Sequence, residues 1–159
     1  MIAEAAGVTR RTLYYHFEDK EALVRAYLRA RDRSGRALLV NARERSSSPS
    51  AAILAVFDSL EVWFRTKEFR GCAFANAVGE SRDAVIFAGP IARKHKLALR
   101  DWFVDACEDA GAARPRDLAE QLMILFDGAM NGSSIRRDPA IARHARAAAQ
   151  TLLAAAGVR

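Results

Sequence analysis

The stretch Ile2–Lys20, IAEAAGVTRRTLYYHFEDK, constrains the fold of this chain more than any other. Residues 1–6 have the pattern of a short helix, with small and apolar side chains on one side. Gly7 follows, and a residue that tolerates positive φ suits a tight turn between helices. Thr9 can then cap a second helix with its hydroxyl. The pattern therefore predicts two short helices joined by a glycine turn.

The second short helix carries an unusual set of long polar side chains. Leu13 and Phe17 are four residues apart, so we expect both to face inward. The others then face outward, where guanidinium groups can reach base edges and phenol hydroxyls can reach phosphates. An ordinary polar surface helix explains these residues about equally well, because short motifs match by chance. The outward set is Arg10, Arg11, Tyr14, Tyr15 and His16.

Charge and composition restrict the class of protein. The 159 residues carry a net charge of +6, which permits an anionic partner without proving one. Residues 1–46 hold ten Lys and Arg against six Asp and Glu, whereas residues 47–159 hold 15 against 13. The positive excess is therefore concentrated near the N-terminal end. With four prolines and abundant Ala, Leu, Arg and Glu, the composition favours an all-α fold.

The cysteines and the hydropathy pattern indicate a cytoplasmic protein. Cys72 and Cys107 are the only cysteines, and their spacing gives no disulfide framework, which suits a reducing compartment. No apolar run reaches the length of a membrane span, and the N-terminus lacks the pattern of a secretion signal. We therefore expect no association with a membrane.

Helical periodicity continues along the rest of the chain. Asp19 can cap a long helix that runs to about residue 41 or beyond. Ser48 followed by Pro49 is typical of the start of the next helix. Pro90 can bend or restart a later helix because it donates no backbone hydrogen bond. After the helix from Asp19, the remaining helices are expected over 49–66, within 69–80, and over 83–110, 115–132 and 139–156.

The segment IAEAAGVTRRTLYYHFEDKEALVRAYL resembles the helix-turn-helix of the TetR family of bacterial transcriptional regulators. The match covers about two dozen positions, including the glycine turn, Thr12-Leu13-Tyr14, His16-Phe17 and Asp19-Lys20-Glu21. The resemblance implies a DNA-binding head with its connecting helix over residues 1–46, and a ligand-binding and dimerisation domain over 47–159. By the same resemblance, the DNA contacts are Thr9, Arg10, Arg11, Tyr14, Tyr15, His16 and Lys20.

The head departs from the family pattern at its start. Family members normally begin with another helix that packs behind this pair, whereas Met1 falls where the second helix begins. We therefore expect a truncated chain, a misassigned start, or a head that has lost its first helix. An alternative function follows from this expectation. In it, the chain is a helical protein that binds a small molecule or a partner, and its truncated head no longer binds DNA.

The resemblance also implies a homodimer and an effector site in the body. The last two long helices, at residues about 115–156, would form the dimer. Asn76 and His95 can each contact a ligand, although a hydrogen bond within the protein is the better interpretation of both. Core packing explains the aromatic candidates equally well. The candidate ligand-binding residues are Trp63, Phe74, Asn76, His95, Trp102, Phe103, Met123 and Phe126.

The sequence contains no recognisable catalytic pattern. It has no Gly-rich phosphate loop, no paired carboxylates in an apolar setting, and no second metal ligand at a suitable distance from His95. We therefore expect no enzyme activity, no metal and no cofactor. The leading hypothesis is a regulator, usually a repressor, that binds a partly palindromic operator on double-stranded DNA as a dimer and is released by a small hydrophobic effector.

Overall fold

The helices begin where the sequence supplies capping side chains. In the computed structural model, which describes residues 2–158, the side chains of Thr9, Asp19 and Ser48 each accept a hydrogen bond from the backbone N–H three residues later. These bonds satisfy donors that the first turn of a helix leaves unpaired. The three predicted caps are therefore confirmed.

The residues that the structure describes form eight α-helices and no β-strand, which confirms the all-α fold. Met1, which the sequence placed in the first helix, lies outside these residues. None of the described helices is both long and apolar enough to cross a bilayer. The helices are α1 (Ile2–Ala5), α2 (Arg10–His16), α3 (Lys20–Arg45), α4 (Pro49–Phe64), α5 (Ala73–Gly79), α6 (Arg82–Asp109), α7 (Pro115–Arg136) and α8 (Ile141–Ala155).

One long helix contains a proline, and another ends well beyond its expected bound. Pro90 lies inside α6, and the helix continues through it without a restart. The end predicted for α7 at residue 132 is wrong, because the helix continues to Arg136. Gly132 lies against Ile141 of α8, so a β-carbon there would lie 3.4 Å from the Ile141 side chain. The helix ends before Arg137, whose φ of +52° lies in the left-handed region.

The main hydrophobic core joins α4 to α6, α7 and α8. Phe57, Leu60, Phe103 and Leu122 are fully buried in it, and the rings of Phe57 and Phe103 have centroids 6.3 Å apart. A smaller cluster lies under α5, where Leu28 of α3 packs with other apolar side chains. Because α3 packs on α4, α5 and α6, it connects the N-terminal helix pair to this body.

Candidate nucleic-acid interface and ligand cavity

The two short N-terminal helices are held by a glycine turn. Gly7 has φ of +65°, which a residue with a β-carbon rarely adopts. The backbone N–H of Val8 donates to the carbonyl of Ala3 at 3.0 Å and closes the turn. At the other end of α2, the N–H of Phe17 donates to the carbonyl of Leu13 at 2.9 Å. Local hydrogen bonds thus fix the direction in which α2 presents its side chains.

One face of α2 is covered by cationic and aromatic side chains. Positions 10, 11, 14 and 15 share this face because residues three and four apart are neighbours on a helix. Tyr14 is 64% exposed and Tyr15 is 85% exposed, whereas Leu13 and Phe17 are half-buried on the opposite side. Thr9 and His16, at the two ends of the helix, are also exposed. The structure therefore places the predicted α2 contacts together on an open surface.

Lys20 is the first residue of α3, four positions after the last residue of α2, and has an ion-pair partner from the body. Its Nζ atom lies 2.7 Å from Oε1 of Glu80, which caps the C-terminal end of α5. Both side chains are more than half exposed, so water and salt screen the pair. A phosphate that approached Lys20 would therefore compete with the Glu80 carboxylate.

A cavity of about 520 Å³ lies between α3, α4, α6 and α7, with the start of α5 at one side. Its size falls within the range of small-molecule sites in proteins. Most of its wall is apolar, and it includes Leu39, Leu60, Leu99 and Met130. The structure also brings five of the predicted ligand-binding residues together on this wall, namely Trp63, Phe74, His95, Trp102 and Phe126.

The other three candidates do not line the cavity. Phe103 is fully buried in the main core, and Met123 is 8% exposed there. Asn76 lies on the outer side of α5, where its amide donates to the carbonyl of Arg70 at 2.8 Å. These placements favour the packing interpretation for Phe103 and Met123 and the local hydrogen bond for Asn76.

His95 is fixed in the cavity wall by two contacts. Its Nδ1 atom lies 2.8 Å from Oδ1 of Asp32, and its ring stacks on Phe74 with centroids 3.8 Å apart. Burial lowers the pKa of His95 below its usual value, although Asp32 partly offsets this effect. Burial raises the pKa of Asp32, but hydrogen bonds from Arg36 and His95 more than reverse that effect and leave it lowered. At neutral pH the pair is therefore an imidazole and a carboxylate.

Two other polar groups in the body lack an obvious chemical use. The indole nitrogen of Trp102 is buried and has no hydrogen-bond partner among residues 2–158, which costs about 1–3 kcal/mol. Burial raises the pKa of Cys107 to about 11, so its thiol stays protonated and unreactive.

Within the described part of the chain, no group of three or more His, Cys, Asp and Glu side chains could hold a metal ion.

The charged part of the cavity wall was missed by the sequence interpretation. Arg36 lines the cavity and pairs with Asp32 at 2.9 Å. Arg31 and Lys96 also line it. The spacing of Asp32 and Arg36 is readable from the sequence, whereas the contact between Asp32 and His95 joins residues 63 positions apart.

Comparison with known proteins relates both the helix pair and the body to one group of proteins. The sequence pattern described as "Bacterial regulatory proteins, tetR family" matches residues 1–27. A TetR-family transcriptional regulator from Streptomyces coelicolor superposes with a TM-score of 0.88 and is 31% identical. The match covers 98% of this chain and 82% of that one. Among curated proteins, none has a sequence that matches this chain.

Two further solved structures share the fold. A protein from Streptomyces avermitilis, described as a TetR-type transcriptional regulator, is 32% identical with a TM-score of 0.76, over 99% of this chain and 85% of that one. A TetR transcriptional regulator from Legionella pneumophila superposes with a TM-score of 0.84 over 99% of this chain and 84% of that one. At 20% identity, the Legionella protein supports the fold alone.

Proposed function

The chain belongs to the TetR family of bacterial transcriptional regulators, and on that premise we propose that it is a ligand-responsive repressor. Two copies bind a partly palindromic operator through α2, and a small hydrophobic effector in the cavity releases them. The observation that carries this proposal is the course of α3. Three residues separate it from α2, and several residues between Arg31 and Val40 of the same helix line the cavity.

The exposed face of α2 supports direct contact with DNA. Arg11 can donate two hydrogen bonds to a guanine edge, which is the commonest contact that distinguishes bases in the major groove. The hydroxyl of Tyr14 and the ammonium of Lys20 suit phosphate oxygens, which position a protein without reading sequence. Two phenol rings as exposed as Tyr14 and Tyr15 on one short helix also favour a surface that is covered in use.

The outer face of α7 supports a homodimer through residues about 115–156. Ile124 is 70% exposed and Ile135 is 74% exposed, and Gly128 and Asn131 lie between them on the same stripe. Apolar and small residues at this spacing let helices approach closely. On α8, Ala147, Thr151 and Ala154 are exposed at the same helical spacing. A two-fold axis that pairs these surfaces would form a four-helix interface.

Replacement of Ile124 with glutamate is expected to produce monomers. A symmetric interface carries two copies of the change, so two uncompensated carboxylates would be buried and the dimer Kd would rise about 100-fold or more. Sedimentation velocity across a range of concentrations measures this change. Ile86→Glu is the matched control, because Ile86 is 76% exposed on α6. Equal dimerisation by both variants would exclude α7 from the interface.

Two elements connect the cavity to the helix pair. The helix α3 does so along its length, since it follows α2 after three residues and its middle lines the cavity. The helix α5 does so through its ends, because Phe74 lines the cavity near its start and Glu80 contacts Lys20 at its other end. An effector that displaces Phe74 would therefore also move the carboxylate beside Lys20. Such coupling requires that the effector bind the two arrangements with different affinities.

Replacement of Glu80 with glutamine is expected to raise DNA affinity by at most about fivefold at low salt, because an exposed ion pair is weak. The change removes the carboxylate that competes with a phosphate for Lys20. Fluorescence anisotropy with labelled duplex DNA measures the change in affinity. Glu21→Gln is the control, since it removes a carboxylate from the first turn of α3 without affecting the partner of Lys20. A gain of the same size in both variants would indicate a general charge effect.

A titration with the promoter region upstream of the protein's own gene tests the proposed function. Two forms of the protein are titrated. One consists of residues 1–159, and the other also includes the product of any in-frame codons upstream of Met1. We expect salt-dependent binding that is tighter than binding to unrelated DNA and that a cavity ligand weakens. If neither form distinguished this DNA from unrelated DNA, the repressor proposal would fail. Ligand binding without DNA binding would favour a helical ligand-binding protein instead.

A further inference from the structure

Charged side chains on the cavity wall come from two of its helices, the middle of α3 and one turn of α6. Asp32 contacts His95, whereas Arg31 lies over the ring of Trp63. The walls contributed by α4 and α7 contain only apolar residues, among them Leu60, Trp63 and Met130. A ligand that fills the cavity thus meets mainly apolar side chains together with a few charged ones. The charged lining residues are Arg31, Asp32, Arg36 and Lys96.

The charges on the cavity wall do not cancel. Asp32 accepts hydrogen bonds from Arg36 at 2.9 Å and from the neutral His95 at 2.8 Å, so its charge is balanced by Arg36. Lys96 is paired with Asp127 on α7. For Arg31, the described residues provide no carboxylate. Its guanidinium carbon instead lies 4.9 Å from the centroid of the Trp63 ring.

The contact with Trp63 prepares Arg31 for an anion. A guanidinium over an aromatic face keeps N–H donors at its edge, and these match the oxygens of a carboxylate or sulfonate. Holding the side chain over the ring also reduces the freedom that it loses when it binds an anion. Arg31 is half-buried, so salt and water screen such a contact less than they would on the surface.

We propose that the cavity selects amphipathic organic anions, with an apolar body among Trp63, Trp102 and Phe126 and an acidic group held by Arg31. This inference rests on the proposed function, because it names the chemical class of the effector. A cation is disfavoured, since Asp32 already has two partners and the remaining charge is positive. A neutral apolar molecule fills the same space but leaves Arg31 without a counterion.

Three probes with one body and different head groups test the proposal. Decanoate, decanol and decylammonium share a ten-carbon chain and are anionic, neutral and cationic at neutral pH. The two tryptophans of the chain both line the cavity, so intrinsic fluorescence reports occupation of this site. We expect decanoate to bind at least about tenfold tighter than either other probe. If decanol or decylammonium bound as tightly, the proposal would be overturned.

Arg31→Gln tests the assigned residue, with Arg33→Gln as the matched control. Arg33 is exposed on the same helix and does not line the cavity. We expect Arg31→Gln to raise the Kd of decanoate about tenfold and to leave the Kd of decanol unchanged. Arg33→Gln is expected to change neither Kd. Equal effects of the two variants would overturn the assignment to Arg31. The ranking of the probes on the unaltered protein needs no variant, so it remains decisive if Arg31→Gln does not fold.

Anisotropy with operator DNA separates this inference from the proposed function. If decanoate binds with the expected preference but leaves DNA affinity unchanged, the cavity selects organic anions as proposed. The proposal that a cavity ligand releases the DNA would then be wrong. If decanol releases the DNA and decanoate does not, the ligand class fails while the effector role stands. Release by decanoate that Arg31→Gln abolishes and Arg33→Gln preserves would support both.

Discussion

Replacement of Arg11 with alanine is expected to lower affinity for the operator about ten- to a hundredfold. The side chain lies on the exposed face of α2, where loss of a bidentate contact to a base removes both affinity and discrimination. Binding to unrelated DNA is expected to change much less. The difference in affinity between operator DNA and unrelated DNA therefore becomes smaller. Paired anisotropy titrations at one fixed salt concentration measure this difference.

Tyr14→Phe and Lys20→Ala provide the comparison for Arg11. Both remove a group assigned to phosphates, so each is expected to weaken binding to all sequences by a similar factor. Lys20→Ala is also expected to reduce the dependence of affinity on salt, because one fewer phosphate is neutralised. If all three variants lost affinity uniformly, the division between base and phosphate contacts on this surface would be wrong.

Replacement of Phe103 with alanine is expected to reduce the free energy of unfolding by about 3–5 kcal/mol. The ring is fully buried and lies near the rings of Phe57, Trp102 and Phe126, so the change leaves a void that the core cannot close completely. Chemical denaturation followed by circular dichroism measures the loss. In contrast, the unaltered protein and any folded fraction of the variant should bind cavity ligands with similar affinity.

Val62→Ala is the control for Phe103→Ala. Val62 is an apolar side chain that is 70% exposed on α4, and a surface substitution of this kind is expected to change stability by less than about 0.5 kcal/mol. If Phe103→Ala changed ligand affinity and left stability intact, the side chain would belong to the cavity, as the sequence alone permitted.

The helix boundaries could be predicted well where local chemistry determines them. The caps at Thr9, Asp19 and Ser48 each depend on a hydrogen bond to a backbone group only three residues away. The turn at Gly7 depends on its own positive φ. The end of α7 could not be predicted in this way, because the residue that follows it is Arg137, whose φ of +52° lies in a region that usually takes glycine.

The cavity was only partly predictable because one residue along a helix turns the side chain by about 100°. Trp102 and Phe103 are adjacent and both aromatic, yet one lines the cavity and the other lies in the core. On α7, Phe126 lines the cavity whereas Met123, three residues earlier, lies in the core. Hydrophobicity identified all four as inward-facing, but only the packing of four helices determines which of them meet the cavity.

The charged wall could not be predicted, because it depends on pairs of residues that are far apart in the sequence. On α3, arginines recur at short intervals and suggest a solvated face. Two of them become part of the wall only because Trp63 of α4 and His95 of α6 approach that side of the helix. Neither approach leaves a signal in the local periodicity.

The length of α3 has a mechanical consequence. Sixteen residues separate Arg36 at the cavity from Lys20 at the first turn, a span of about 24 Å in a straight helix. A tilt of about 5° about a point near Arg36 therefore moves Lys20 by about 2 Å, while atoms at the pivot barely move. Under the proposed function, a small change in the direction of α3 around a bound effector would therefore become a displacement at its first turn comparable to the tolerance of a hydrogen bond.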